Sequence, residues 1–151
     1  MKIKVMRGIS GSGKSTYAKT LARAAYDAME KPLICSADHY FVGPDGYKFD
    51  GSKLGDAHKF CMMRFLGCIQ DGMSPIIVDN TNINIEDIAP YVAVGEALGY
   101  DVEIIQVNVD FELAARRNIH EVPRPKIQEM YRRLVAIKLP NRWKIVQVNN
   151  V

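Results

Sequence analysis

The stretch Gly8-Ile9-Ser10-Gly11-Ser12-Gly13-Lys14-Ser15 decides the fold of this chain. It satisfies the pattern GxxxxGK[ST] at every fixed position. The apolar residues before it are typical of a short strand, and those after it have the spacing of an amphipathic helix. A glycine-rich loop that joins a strand to a helix predicts a phosphate-binding loop.

Each part of this loop has a role in holding a nucleoside triphosphate. Gly11 and Gly13 permit the tight turn that points backbone N–H groups at phosphate oxygens, and the start of the helix adds its positive end. We expect Lys14 to reach the β- and γ-phosphates and Ser15 to place its hydroxyl on Mg²⁺. The predicted nucleotide-binding residues of the loop are Gly11, Ser12, Gly13, Lys14, Ser15 and Thr16. No guanine-reading Asn-Lys-x-Asp segment occurs, which favours ATP.

Composition indicates an ordinary globular domain. The 151 residues are 48% apolar and 25% charged, with a net charge of +3, which predicts one domain over 1–151 with its own core. No apolar run is long enough to span a bilayer, so no membrane partner is expected. The three cysteines form no CxxC pair and are predicted to be small core residues. Together these features predict a cytoplasmic protein, in the host cytoplasm if phage-encoded.

Strands alternate with helices along the chain. The pattern predicts strands over 2–7, 32–35, 76–78, 102–107 and 143–148, and helices over 15–29, 53–70, 85–98, 111–119 and 126–138. Pro90 is expected to make the first turn of its helix irregular, and 42–52 is predicted to be a loop. The fold class is therefore α/β, with a parallel sheet of about four or five strands flanked by helices, in which ligands bind at the carboxyl ends of the strands.

Polar residues follow two of the predicted strands. Asp38 comes after the second and could act as general base toward an attacking hydroxyl, or else cap the following turn. Asp79 ends the third, where an acid can lie close to Mg²⁺ or its waters. Asn80 and Asn82 beside it are predicted to contact substrate, with turn formation as the alternative.

A basic segment over about 116–124 is predicted to be a lid. Arg116 and Arg117 precede a proline-bounded loop, and an arginine there can stabilise the transferring phosphoryl group or stack on adenine. We favour Arg117 for catalysis; the alternative is that both are surface arginines. From 111 to 151 nine basic residues stand against three acidic ones, and they could face ATP, nucleic acid or solvent.

Taken in order, these blocks resemble the kinase domain of phage-type polynucleotide 5′-hydroxyl kinases and a related group of small P-loop kinase domains. The similar stretches are 6–16, Ser36-Ala37-Asp38-His39-Tyr40-Phe41, Ala57-His58, Val78-Asp79-Asn80-Thr81-Asn82 and 117–123. The resemblance implies that Asp38 is the general base, with Lys14, Ser15, Asp79 and Arg117 in matching roles. His58 and His120 match histidines of the second group. One departure is Phe41, where the phage enzyme has an arginine that helps bind the acceptor strand.

Three functions agree with these features. The first is an ATP- and Mg²⁺-dependent kinase for a polynucleotide 5′-hydroxyl. The second keeps the reaction but changes the acceptor to a nucleotide, a hydroxymethylated base or a small metabolite. The third is a non-catalytic ATP-binding module, against which the intact Asp38 argues. Partners are therefore ATP and a nucleic acid or nucleotide acceptor, with a homo-oligomer left open.

Overall fold

The computed structural model of the chain describes residues 1–150. In chain order, the elements are β1 (Lys2–Arg7), α1 (Lys14–Asp27), β2 (Leu33–Cys35), β3 (Val42–Gly43), β4 (Gly46–Tyr47), α2 (Leu54–Gln70), β5 (Ile76–Asp79), α3 (Ile85–Ala97), β6 (Asp101–Asn108), α4 (Phe111–Arg116), α5 (Arg124–Ala136) and β7 (Lys144–Asn149). Short 3₁₀ turns cover Ala37–Phe41 and Gly51–Lys53.

Five strands form one parallel sheet in the order β2-β5-β1-β6-β7, which confirms the predicted fold class. The first strand of the chain lies at the centre, so the glycine-rich loop after it emerges from the middle of the sheet. The strands on one side of it, β5 and β2, end beside that loop. The carboxyl ends of three adjacent strands therefore meet at one edge of the sheet, where parallel sheets bind ligands.

Apolar side chains cover both faces of the sheet. On one face, Ile3, Val5 and Val78 belong to a buried cluster that includes residues of α2 and α3. On the other face, Met6 and Ile77 pack with residues of α1. Burial on both faces explains why β5 is a short, fully buried and almost entirely apolar run rather than an alternating one. All three cysteines are buried free thiols.

Apart from shifts of one or two residues at other helix ends, two helix predictions differ from the structure. The helix predicted over 111–119 ends at Arg116, because the Asn118 side chain donates to the Val122 carbonyl and accepts from the Val122 N–H, which closes a tight loop instead of another helical turn. The irregular first turn expected from Pro90 was also wrong. Helix α3 runs without a break from Ile85, and the Asn84 N–H donates to the Asp87 carboxylate at its start.

The predicted loop over 42–52 contains local structure. Strands β3 and β4 pair in a small antiparallel hairpin, with Val42 opposite Tyr47. Gly46 has a φ of 95°, which a tight hairpin turn requires. This hairpin stands next to the 3₁₀ turn that carries Asp38, and it therefore shapes the acceptor side of the site.

None of the helices within 1–150 combines the length and the apolar character needed to cross a bilayer.

Candidate nucleotide and acceptor site

The structure brings together three of the predicted site segments. The glycine-rich loop follows β1, Asp38 lies in the turn after β2, and Asp79 is the last residue of β5. Since the three strands are neighbours in the order β2-β5-β1, these segments share one edge of the sheet. Burial lowers the pKa of Lys14, and the nearby carboxylates of Asp79 and Asp38 oppose that shift. A cation and two carboxylates thus face the same space.

Glycines are required at two positions of the loop. Gly11 and Gly13 have φ angles of 80° and 88°, in the left-handed region that favours glycine. A Cβ on Gly11 would lie 2.0 Å from the Ala114 carbonyl oxygen, and one on Gly13 would lie 2.2 Å from Nδ2 of Asn150. The loop therefore packs closely against α4 and the residue after β7, and side chains at Gly11 and Gly13 would clash with them. The concave surface of the loop, here called the cradle, thus stays clear of side chains at these two positions.

The start of α1 is open toward this cradle. Its N-cap is Gly13, which supplies no side-chain cap, and its first turn carries no acidic residue. The free N–H groups of a helix start therefore remain available for an anion such as a phosphate. Lys14 has one hydrogen bond in the described residues, a 3.5 Å contact to the Ile9 carbonyl, so its ammonium group is weakly held by the protein. These features fit a triphosphate.

A buried carboxylate oxygen fits the predicted Mg²⁺. Within 1–150, Oδ1 of Asp79 is buried and has no hydrogen-bond partner, which is costly unless a ligand completes it. Ser15 lies exposed on the first turn of α1. No cluster of three or more His, Cys, Asp or Glu suited to a metal occurs in the described chain. Magnesium commonly takes one or two protein ligands besides phosphates and waters, so Ser15 and Asp79 would suffice to hold it.

Asn80 and Asn82 are occupied by bonds within the protein. Oδ1 of Asn80 accepts from the Ala37 N–H at 2.8 Å, and its Nδ2 donates to the Cys61 thiol. Nδ2 of Asn82 donates to the Met6 carbonyl at 2.7 Å, and its φ of 48° places it in the left-handed region. Both side chains therefore hold the ends of strands together. Their contact with substrate stays a prediction.

The Asp38 side chain is exposed to solvent, with 53% of its surface accessible. Its own N–H donates to the Ser36 hydroxyl, so Ser36 rather than Asp38 caps the turn. Oδ1 of Asp38 accepts a 3.3 Å hydrogen bond from the Tyr47 hydroxyl, and Oδ2 lies 3.9 Å from Nε2 of His120. Burial and the Asp38 carboxylate together raise the pKa of Tyr47 to about 12.

The predicted lid is the loop between α4 and α5. Arg116 ends α4, Arg117 follows it, and both side chains are exposed without an ion pair in the described residues. Arg124 behaves differently, since it pairs with Glu112 and lies 4.9 Å from the centre of the Phe111 ring. Arg124 is thus held within the fold, while the contact of Arg116 and Arg117 with a nucleotide stays a prediction.

Sequence patterns alone did not indicate two supports of the site. Nδ2 of Asn150 donates to the Ser12 carbonyl at 2.7 Å and so holds the glycine-rich loop from the far end of the chain. Arg7, just before that loop, is 1% exposed and donates to the Ile83 carbonyl and to Gln106. An arginine inside the first strand was the available signal for the second support, whereas nothing local marks Asn150.

A glycine cradle at a helix start, a lysine facing it and carboxylates on the adjacent strand ends define a P-loop kinase fold. A sequence model described as an AAA domain (AAA_33) matches residues 3–135, and the chain belongs to that family. Human NEDD4-binding protein 2 is 35% identical over an alignment of 142 residues that covers 89% of this chain and 8% of that protein. A putative bifunctional polynucleotide kinase/RNA ligase of Autographa californica nuclear polyhedrosis virus is 28% identical over 76% of this chain and 17% of that protein.

A solved structure agrees in fold. The APS kinase CysC of Mycobacterium tuberculosis, in complex with AMPPNP and APS, superposes with a TM-score of 0.65 at 17% identity, over 98% of this chain and 87% of that one. By contrast, this chain spans less than a fifth of the curated relatives named above. Family and fold together show a P-loop kinase fold of the AAA_33 family.

Proposed function

We propose that the protein transfers the γ-phosphate of ATP to the 5′-hydroxyl of a polynucleotide. The observation that carries this proposal is Asp38, an exposed carboxylate on the strand end two places from the glycine-rich loop. A binding module has no need of such a group, whereas a kinase uses it to accept the proton of the attacking hydroxyl.

In the proposed reaction, the acceptor oxygen attacks the γ-phosphorus while its proton passes to Asp38. The bond from the γ-phosphorus to the bridging oxygen breaks, and ADP leaves. Lys14 and the N–H groups of the loop bind the phosphate oxygens, and Arg117 approaches from the lid. A Mg²⁺ held by Ser15 and Asp79 would neutralise phosphate charge. Most of the rate gain would come from position and electrostatics.

Exposed aromatic side chains beside Asp38 favour a nucleic-acid acceptor. Tyr40 and Phe49 are 38% and 58% exposed, and both rings pack against the buried Phe41, at centroid distances of 5.3 and 5.2 Å. Lys53 lines the same shallow depression as Tyr40, together with Asp50 and with Lys48, which pairs with Asp45. Aromatic faces with nearby cations bind unpaired bases and the phosphates between them. Phe41 therefore supports a stacking surface in place of the arginine that the phage enzyme has there.

The basic C-terminal third contributes less to this proposal than its composition predicted. Four of its nine basic residues form ion pairs with carboxylates, namely Arg124, Arg133, Arg142 and Lys144. Paired cations attract a polyanion less strongly, so we place the acceptor strand on the aromatic side of Asp38. The polynucleotide kinase named among the relatives is consistent with this choice.

A small-molecule acceptor is the second candidate. It is favoured by the exposure of Asp38, which a short acceptor could also reach, and by the fold shared with a kinase solved with APS. The two candidates differ in the acceptor alone, so one experiment can separate them.

The test is transfer of labelled γ-phosphate from ATP and Mg²⁺ to a 5′-hydroxyl DNA strand and its RNA equivalent. Strands with a blocked 5′ end, with and without hydroxymethylated bases, are the matched acceptors. Label on the 5′-hydroxyl strands alone supports the proposal. Label on blocked hydroxymethylated strands moves the acceptor to the base. Absence of label on every strand, with ATP bound, rejects a polynucleotide acceptor.

Asp38→Asn is the negative control for this experiment. The amide keeps the shape of the side chain but cannot take the proton, so we expect transfer to fall by about 10²–10⁴-fold. ATP affinity, measured by calorimetry, should stay within about twofold of the wild type, because Asp38 lies on the acceptor side. A large loss of ATP affinity would make Asp38 a nucleotide or metal ligand instead.

A further inference from the structure

Two side chains outside the nucleotide machinery converge on the Asp38 carboxylate. The Tyr47 hydroxyl donates to Oδ1 at 3.3 Å, and Nε2 of His120 lies 3.9 Å from Oδ2. The rings of Tyr47 and His120 also touch, with centroids 4.9 Å apart and planes at 45°. One carboxylate and two rings thus form a closed triangle of contacts.

Each member of this triangle comes from a different segment. Asp38 lies in the turn after β2, Tyr47 ends the β3–β4 hairpin, and His120 lies in the loop between α4 and α5. No regular element connects the three, and all are at least one third exposed. Ordering exposed side chains of three separate segments costs conformational entropy, which their mutual contacts must offset.

The two oxygens of Asp38 differ in their surroundings. Oδ1 is engaged by Tyr47, whose hydroxyl is the donor. Oδ2 faces His120 across a gap of 3.9 Å, which is longer than a hydrogen bond and leaves that oxygen open to another group. A carboxylate held by one oxygen presents the other in a defined direction. Such orientation of a base matters because misplacement by about 1 Å can cost about 10²-fold in rate.

Resting on the proposed function, we propose that Tyr47 and His120 are positioning residues for Asp38. Tyr47 holds Oδ1, so that Oδ2 is the atom that accepts the proton of the attacking hydroxyl. His120 faces Oδ2 from the lid loop and limits where an acceptor can enter. Because His120 follows Arg117 by three residues on that loop, the acceptor side and the nucleotide side are linked by one segment.

Kinetics of single variants test the positioning role. Tyr47→Phe keeps the ring and its contact with His120 but removes the hydrogen bond, so we expect kcat to fall by about tenfold with the KM for ATP unchanged. His120→Ala should lower kcat by a similar factor, and His120→Gln, which retains a polar group near Oδ2, should recover part of the loss. Tyr26→Phe is the control, since Tyr26 is an exposed α1 residue.

Nuclear magnetic resonance provides a readout that does not depend on activity. The chain has three histidines, so their ring nitrogens can be assigned with single His→Gln variants. The Nε2 chemical shift of His120 at fixed pH should change in both Asp38→Asn and Tyr47→Phe, and should stay at the wild-type value in Tyr26→Phe. Thermal melts of all variants establish that each one folds.

The outcomes separate this proposal from the function on which it rests. An unchanged His120 signal in Asp38→Asn, or an unchanged kcat in Tyr47→Phe, overturns the positioning role even if the wild type is an active polynucleotide kinase. If the wild type labels no acceptor, the proposed function fails. In that case the Nε2 chemical shift of His120 is the only test of the positioning role. A change in both Asp38→Asn and Tyr47→Phe supports the contacts of Tyr47 and His120 with Asp38, and no change refutes them.

Discussion

The nucleotide half and the acceptor half of the site are built in different ways. The nucleotide half is made of backbone: glycines at positive φ, a bare helix start, and supports from Ala114 and Asn150 that touch the loop directly. The acceptor half is made of side chains from three segments, and they meet near an exposed carboxylate. The first half tolerates almost no added atom, whereas the second is held by individual polar contacts.

This difference predicts which kinds of substitution should damage each half of the site. A backbone cradle fails when a side chain is added to it, because neighbouring atoms already fill the space. A side-chain cluster fails when one polar group is removed, and it can be rebuilt around another acceptor without disturbing the cradle. The contrast explains how one P-loop kinase fold can keep its nucleotide and change its substrate.

Besides Asp38→Asn, the largest effect is expected from Arg117, which lies on the predicted lid loop three residues before His120. Arg117→Ala should lower turnover by about 10³-fold, because an arginine on the transferring phosphoryl group stabilises the transition state more than bound ATP. Arg116→Ala is the matched comparison, and we expect the smaller loss there. Single-turnover transfer and ATP calorimetry measure the two quantities. Equal losses in the two variants would remove the distinction between them.

Gly11→Ala tests the backbone half. The added Cβ would meet the Ala114 carbonyl oxygen at 2.0 Å, so the loop must shift, and we expect ATP affinity to fall by more than tenfold. The strain at positive φ should also cost about 1–3 kcal/mol of stability. The control is Gly46→Ala in the hairpin, which also has positive φ but no atom within 4 Å of the added Cβ. It should lose stability and keep ATP affinity, and matching ATP affinities in the two variants would contradict the steric account.

Asn80→Ala tests the junction between the halves. The variant leaves the buried Ala37 N–H without its acceptor, which should lower the free energy of unfolding by about 1–3 kcal/mol. We expect ATP affinity to remain close to that of the wild type. Urea denaturation measures the first quantity, with the exposed Asn141→Ala as control. Unchanged stability with a raised acceptor KM would instead make Asn80 the substrate ligand that the sequence predicted.

The smallest effect concerns a charged group outside both halves. Hydrogen bonds from Lys144 and Lys4 lower the pKa of Glu103 to about 2 from its usual 4.5. The folded state therefore favours the ionised carboxylate, so this stabilisation is present above about pH 4.5 and is lost as the pH falls toward 2. Glu103→Gln should cost about 1 kcal/mol at pH 7 and almost nothing near pH 2.

Urea denaturation at several pH values checks this dependence. Asp27→Asn, at an exposed pair with Arg23, should cost less than about 0.5 kcal/mol at any pH. Phosphate transfer should be unaffected in both variants. A stability difference for Glu103→Gln that persists at the lowest pH would mean that packing, rather than charge, explains it.

The fold and the nucleotide half were predictable because their determinants are local. A glycine pattern between a strand and a helix specifies the cradle from eight consecutive residues, and alternating elements specify the parallel sheet. The acceptor half depends on contacts between distant positions. Tyr47 and His120 are 73 residues apart in the sequence, and only the folded chain shows that their rings meet at Asp38. The early end of the 111–119 helix likewise depends on Asn118 side-chain bonds that helix periodicity does not encode.

The bond from Asn150 to the Ser12 carbonyl has a consequence for how the protein is made. Its partners are 138 residues apart, and β1, which precedes the glycine-rich loop, pairs with strands that follow much later in the chain. Along the chain, the nucleotide-binding loop is therefore synthesised 138 residues before its support. We therefore expect a nascent chain that already carries the complete motif to acquire ATP affinity only after Asn150 has left the exit tunnel.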